Sequence, residues 1–510
     1  MWLIDTNNLE LKNVDSPQDV KYAILSHTWE EEEVDFQEMR FHRDLAKGKK
    51  GFGKIAATCS RAQAEGIPYA WVDTCCIDKT SSAALSEAIN SMFQWYRDSF
   101  ICYAYLSDLS IDLLDSDKDE GNTMESGFSN CRWFTRGWTL QELIAPKALD
   151  FYDCKWRFLG TKANLREEVS SITGIDVDVL EDIQLLPNIP IARRMSWASK
   201  RKTTRAEFIA NTSREGHMAF IRLQEEILRN VDDLSLFAWT VQTDGENGID
   251  RPILPVTLTG GTGRAAQRLN KMCCYLSVNL VRATSGVVLI ASPGSEQHYC
   301  IGIRGVLARS PSEFAGCGEL KHITNPGRRT GEFSMTNRGL KIKTILGSDR
   351  GLSCSFLGLS CAWSTRDEGY EVAICLMKIE TRYVRERAFE IYTTPREHGI
   401  KETPLSTIYI KKDVAEKEAR DINNQRNAGL GFEFNLPKDY KACNILAYPR
   451  RSWKASSNTF RTHTRGLLIA YLESSLDVEG WRFLVVCGRE ADYNPLGRHK
   501  PGEIWTRICI

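Results

Sequence analysis

The stretch Phe52-Gly-Lys-Ile-Ala-Ala-Thr-Cys-Ser-Arg-Ala-Gln-Ala-Glu-Gly-Ile-Pro-Tyr-Ala-Trp-Val-Asp73 reads as a helix, a stop and a strand. Ile55, Cys59 and Ala62 recur at helical spacing, so one face is apolar. Gly66 can take the left-handed conformation after the last turn and Pro68 cannot continue a helix, so the helix is expected to end at Gly66-Ile67-Pro68. Tyr69 to Asp73 follows as a short strand. Upstream, Tyr22 to Ser26 is an apolar run suited to a buried strand. Downstream, Leu85, Ile89, Met92, Phe93 and Tyr96 form a second helical stripe, Ile101 to Leu106 a third strand and Ala148 to Tyr152 a fourth. Strands alternating with helices predict an α/β domain over residues 1–155, a parallel sheet with helices on its faces.

The acidic segment 107–130, with Asp108, Asp112, Asp115, Asp117, Asp119 and Glu120, reads as a solvated loop, because its acids lack calcium-loop spacing. Trp133 to Pro146 reads as one short helix stopped by the proline. Residues 156–234 turn helical, with one stripe at Leu165, Val169 and Ile172 and another at Phe220, Leu223, Ile227, Leu228 and Val231. From 235 to 510, short β-branched segments separated by Gly, Pro, Ser and Asn predict a β-rich C-terminal domain, among them Gly286 to Ala291, Leu340 to Ile345, Glu371 to Ile379 and Trp481 to Cys487.

Composition narrows the function. The chain has 510 residues, with 66 Lys plus Arg against 66 Asp plus Glu, so no global field draws it to nucleic acid or anionic lipid. No apolar run approaches the roughly 20 residues that cross a bilayer, and Met-Trp-Leu-Ile-Asp5 does not read as a secretory signal. A place in the cytosol, or in the nucleus, is expected. The 16 cysteines are diluted over the length and include the adjacent pairs Cys75-Cys76 and Cys273-Cys274, which favours reduced, buried thiols over a disulfide framework. Neither a CxxC nor clustered histidines are present, so no metal is expected. Gly260-Gly-Thr-Gly-Arg264 lacks the Lys-Ser/Thr of a phosphate loop and reads as a tight turn, and the basic run Arg193, Arg194, Lys200, Arg201, Lys202 and Arg205 reads as a solvated helical face.

Three segments go beyond pattern: Tyr22-Ala-Ile-Leu-Ser-His-Thr-Trp29, Tyr69-Ala-Trp-Val-Asp-Thr-Cys-Cys-Ile-Asp-Lys79 and Arg136-Gly-Trp-Thr-Leu-Gln-Glu-Leu143. In order and spacing they resemble the fungal heterokaryon-incompatibility (HET) domain. The resemblance continues through Met195-Ser-Trp-Ala-Ser-Lys-Arg-Lys-Thr-Thr-Arg205 and Phe220-Ile-Arg-Leu-Gln-Glu-Glu-Ile-Leu228, and Gly305 to Phe314 and Ser334 to Leu340 look like regions that accompany this domain. The connection Ile209 to Met218 is shorter than in similar proteins. The resemblance implies non-self recognition and programmed cell death in a fungus, a form of innate immunity, with self-association through the N-terminal domain and recognition of another, unidentified protein.

The order of strand, helix, Gly-Ile, strand ending in Asp, helix, strand and Trp-x-x-x-Glu-Leu is also similar, more distantly, to the Toll/interleukin-receptor (TIR) domain, implying a TIR/flavodoxin-like sheet. In the NAD-cleaving members a glutamate in that last helix is catalytic, and its counterpart here is Glu142. No cofactor is implied; NAD would be a substrate. Breaking the nicotinamide–ribose bond builds positive charge on the sugar, which a carboxylate in a partly dry cleft can stabilise. In an open parallel sheet the cleft belongs at the carboxyl ends of the strands. Nucleotide-binding candidates there are Ser26, His27, Trp29, Asp73, Cys76, Asp78, Arg136 and Trp138. Each has a plainer role: Glu142 as an ion-pair partner of Arg136, His27, Trp29 and Trp138 as packing, Asp78 as a helix cap, Cys76 as a buried thiol. The competing reading of the whole is a non-enzymatic adaptor that assembles and recruits a downstream executor.

Overall fold

Tyr22–His27 (β3) is buried at every position, as a strand must be when helices cover both faces of its sheet. In the computed structural model it lies between Tyr69–Trp71 (β4) and Ile101–Leu106 (β5), parallel to both, and Leu149–Asp153 (β6) continues the parallel set beyond β5. Antiparallel strands close the edges: Trp2–Asp5 (β1) and Leu11–Asn13 (β2) beside β4, and Phe158–Thr161 (β7) beside β6. The seven-stranded order is β2-β1-β4-β3-β5-β6-β7. The four parallel strands thus run 2-1-3-4 in chain order, and the order reverses between β3 and β5. A ligand crevice is expected there, outside the carboxyl ends.

The structure describes residues 1–111, 124–202, 214–241, 302–323, 330–348, 355–365, 370–395 and 401–427, with backbone alone for several strands between 256 and 291 and between 432 and 509. Gly260 to Arg264, Arg205, Cys273, Cys274 and residues 112–123 of the acidic segment lie outside the described residues.

Helices Phe36–Phe41 (α1), Arg43–Gly48 (α2) and Gly51–Ala64 (α3) join β3 to β4. Ile55, Cys59 and Ala62 of α3 are buried, and Gly66 has φ +67°, where the Ile67 amide donates back to Ala62 O at 2.8 Å. Asp73–Cys76 (α4) is a single turn directly after β4. Ser82–Asp98 (α5) buries Ala88, Met92 and Tyr96, while Leu85, Ile89 and Phe93 are half-buried. Its cap is Ser81, whose hydroxyl accepts from the Ala84 amide at 3.3 Å; Asp78 instead closes the preceding turn on Thr80.

Two expectations are corrected. Met124–Ser129 (α6), at the end of the expected loop, is helical and Phe128 is buried against Phe134 and Phe151. The expected helix from Trp133 is broken: a 3-10 turn at Arg132–Thr135 gives way to extended backbone at Arg136 before Thr139–Ile144 (α7) begins. The break is held by backbone from far along the chain, the Lys202 amide donating to Thr135 O at 2.7 Å and the Gly137 amide to Lys202 O at 2.9 Å.

The chain divides into two compact units, Met1–Arg222 with Arg309–His322, and Leu223–Ala308 with Ile323–Ile510. Beyond β7 the first unit is mainly helical, including Ile191–Ala198 (α8). The basic run is not one solvated face. Lys200 and Lys202 are exposed, but Arg193 is bound to Asp176 and Arg201 is half-buried, donating to Trp197 O at 3.1 Å and Arg136 O at 3.2 Å.

The second unit is β-rich. Its ten-stranded sheet centres on Tyr370–Ile379, paired antiparallel with Ser355–Gly358, Arg382–Arg385 and Tyr392–Pro395. Arg385 is fully buried; its guanidinium donates to Phe237 O and Trp239 O and lies 4.0 Å from the Trp239 ring centroid. In the helix Arg214–Asn230, Phe220 and Leu228 are buried but Leu223 is exposed, as is Val231 beyond its end, so the expected stripe is only partly a packing face.

Candidate active site

Three chain segments converge outside the carboxyl ends of β3 and β4. β3 delivers His27 and, just past it, Trp29; α4 and the turn after it deliver Asp73, Ile77 and Lys79; the broken helix delivers Arg136, Trp138, Thr139 and Glu142. With Leu85, Ile89 and Met92 of α5 they line a cavity of about 100 Å3. Of the sequence candidates, His27, Trp29, Asp73, Arg136, Trp138 and Glu142 line this cavity, and Ser26, Cys76 and Asp78 do not. Ser26 is fully buried beneath it. Cys76 is buried and its sulfur accepts the Val72 amide at 3.4 Å, while Asp78 is taken up by Thr80 and Gln37.

Glu142 is 7% exposed and has no lysine or arginine within ion-pair distance among the described residues. Ser26 Oγ donates to Glu142 Oε2, and Trp133 Nε1 donates to Ser26 Oγ at 2.7 Å. Tyr96, whose hydroxyl donates to Leu25 O at 3.1 Å, also borders the carboxyl. Burial pushes the Glu142 carboxyl up to about 8; the Ser26 hydrogen bond opposes that rise, the Asp73 charge adds to it, and Tyr96 and Arg136 oppose it. At neutral pH the resting group therefore holds its proton.

His27 is equally enclosed. Burial holds its imidazole well below the usual histidine range, with Lys54 and Lys79 reinforcing the effect, so the ring is neutral. Its Nδ1 stands 3.9 Å from Asp73 Oδ1 and its Nε2 3.9 Å from Glu33 Oε1. Neither His27 Nε2 nor Asp73 Oδ1 meets a hydrogen-bond partner among the described residues. Burial also raises the Asp73 carboxyl, against the pull of Lys79 and of Trp29 Nε1, which donates to Asp73 Oδ2 at 2.7 Å. The Trp29 ring is 45% exposed and lies 4.0 Å from Lys79 Nζ. Trp29 also walls a second, more polar depression of about 630 Å3 with Glu30, Glu31, Lys50, Lys54, Tyr105 and Arg132.

Sequence reasoning missed Trp133, Tyr96, Lys79 and Arg201 as supports of the site. Lys79 lay inside a quoted motif, and Trp133 had the signal of an indole just upstream of Arg136. Nothing local marks Tyr96 or Arg201. Among the described residues no cluster of His, Cys, Asp and Glu is arranged to hold a metal ion, and no helix is long and apolar enough to cross a membrane.

These features define an α/β domain that keeps a protonated carboxyl in a cleft at the carboxyl ends of a mostly parallel sheet. Residues 22–125 match the heterokaryon incompatibility (HET) protein family, so the chain carries a HET domain. Residues 218–254 match a family described as a domain of unknown function (DUF8212). Over 201 residues the chain is 43% identical to the vegetative incompatibility protein HET-E-1 of Podospora anserina, an alignment covering 39% of this chain and 14% of that protein. The chain therefore spans a small part of that relative's length. No solved structure gives a significant match.

Proposed function

We propose that the protein acts in fungal heterokaryon incompatibility, triggering cell death on non-self recognition, and that its N-terminal domain does so by hydrolysing NAD at Glu142. The family role is supported by the HET match and by the likeness to a vegetative incompatibility protein. The 2-1-3-4 order of parallel strands is that of flavodoxin-like sheets, which supports the TIR-like reading of the domain. The observation that carries the chemistry is the placement of Glu142: buried, hydrogen-bonded by Ser26 and lining a cavity at the carboxyl end of the sheet.

In this reading the pyridinium of NAD enters beside Glu142, and its positive charge lowers the pKa of the carboxyl, which releases its proton to solvent. The carboxylate then stabilises the positive charge that develops on the ribose as the C1′–N bond breaks and nicotinamide leaves with the bonding pair. Water adds to C1′, loses a proton and completes ADP-ribose. Self-association in response to a protein partner would confine this activity to the stimulated state.

The test is NAD loss by the full chain at high concentration, wild type beside Glu142→Gln, with nicotinamide and ADP-ribose followed by chromatography. Cleavage by the wild type alone is expected. Folded, self-associated wild type that leaves NAD intact would shift the assignment to an adaptor that recruits a separate executor.

A further inference from the structure

The structure assigns Ser26, braced by Trp133, as the positioning residue of Glu142, a role that rests on the reading of Glu142 given above. The argument is a count of donors and acceptors. An indole N–H can only donate, so at 2.7 Å Trp133 Nε1 obliges Ser26 Oγ to accept. The Ser26 proton is then directed elsewhere, and its partner is Glu142 Oε2. The hydroxyl therefore holds one carboxyl oxygen from beneath, and the acidic proton of resting Glu142 is assigned to the other oxygen, Oε1.

Packing makes the arrangement rigid. Ser26 and Trp133 are both fully buried, the Trp133 ring meets Phe134 and Phe151 edge-on at centroid distances of 5.1 and 5.8 Å, and Ser26 lies in the sheet opposite Ala104. Because Ser26 does not line the cavity, it acts on a ligand only through Glu142. Among the described residues the other titratable and charged groups around Glu142 are His27 from β3, Asp73 from α4, Lys79 beyond it, Tyr96 from α5, Cys102 from β5, Arg136 ahead of α7 and Arg201 beyond α8. The direction of the Ser26 hydroxyl is dictated by Trp133 and not by any of these groups.

The experiment titrates the Glu142 carboxyl in the full chain labelled with [13C]glutamate, the signal being assigned by its loss in Glu142→Gln. A hydrogen bond favours the ionised form, so Ser26→Ala is expected to raise the midpoint by about one pH unit. Ser26→Thr, which keeps the hydroxyl, should hold it near the wild-type value, and Trp133→Phe should raise it by a smaller amount. In NAD cleavage Ser26→Ala should lower kcat and leave KM unchanged. An unmoved midpoint in folded Ser26→Ala overturns the assignment; should that variant not fold, an unmoved midpoint in Trp133→Phe does so. Since the titration uses no substrate, a raised midpoint in a chain that never cleaves NAD keeps the positioning role and removes the enzymatic reading, while cleavage with an unmoved midpoint does the reverse.

Discussion

Glu142→Gln should make the protein more stable, and increasingly so as pH rises. The native carboxyl titrates at about 8, against 4.5 for an unperturbed glutamate, and burial is the main cause. Between those values the native state keeps a proton that the unfolded chain has lost. The group's contribution is therefore fully present below pH 4.5 and is lost as pH rises through 8. At ~1.36 kcal/mol per pKa unit, the whole gap is worth about 5 kcal/mol, and roughly 3 kcal/mol of it has gone by pH 7. Glutamine does not titrate, and its carbonyl can still accept from Ser26. The assay is urea denaturation of the full chain at pH 5 to 9, with unfolding of the first unit followed through its buried tryptophans, Trp71 and Trp133. The stability of the variant relative to wild type should grow by about 1.4 kcal/mol per pH unit and level off above pH 8. A difference that stays flat across this range would refute the claim that Glu142 rests protonated.

Two further outcomes follow from the same groups. If the ionised form of Glu142 is the active one, kcat/KM for NAD should rise about tenfold per pH unit below pH 8 and flatten above it; kcat should also rise with pH but with a lower midpoint, because bound pyridinium favours ionisation. A kcat/KM that is level from pH 6 to 9 would sink this assignment. The His27 imidazole, depressed by burial, should stay neutral on acidification until well below pH 6.5. Its contribution to stability is present above that value and lost as pH falls, because the unfolded chain then takes up a proton that the native state does not. An imidazole nitrogen signal that titrates near 6.5 in the folded protein would contradict the burial argument.

How much of this was legible in the sequence depended on where the cause lay. β5 is a continuous apolar run and β3 opens on one, β6 carries Leu149, Phe151 and Tyr152 around a single internal acid, and the end of α3 is written locally in Gly66 and Pro68, so their positions could be read directly. The cavity also followed from general topology, because Ser26–Trp29 and Asp73 emerge at the carboxyl ends of adjacent parallel strands. The break at Arg136 was not legible, because Lys202, 66 positions away, holds it. That break has consequences for function. It leaves Trp133 on a separate turn pointing into the core, while Trp138 and Glu142 turn toward the cavity. Ser26 was read as a nucleotide ligand from its place at a strand end. Its true neighbours, Glu142 and Trp133, are more than 100 residues distant, and only the fold brings them together.

Two titratable groups of the resting cleft are uncharged, beside the basic side chains of Lys79 and Arg136. Glu142 is protonated, His27 is neutral and burial raises the Asp73 carboxyl, and each of these settings costs stability that an apolar pocket would not. Such a cleft discriminates between cationic and neutral rings of the same shape. On the proposed reaction a pyridinium would ionise the carboxyl and then be held by it; neutral nicotinamide would not, and as the proton returned the attraction would disappear. On the proposed reaction, the same burial that raises Glu142 would therefore favour binding of the substrate and release of the product. A binding comparison on Glu142→Gln isolates the effect: the variant should lose affinity for NAD and keep its affinity for nicotinamide. Equal loss of both would show that the carboxyl contributes shape alone.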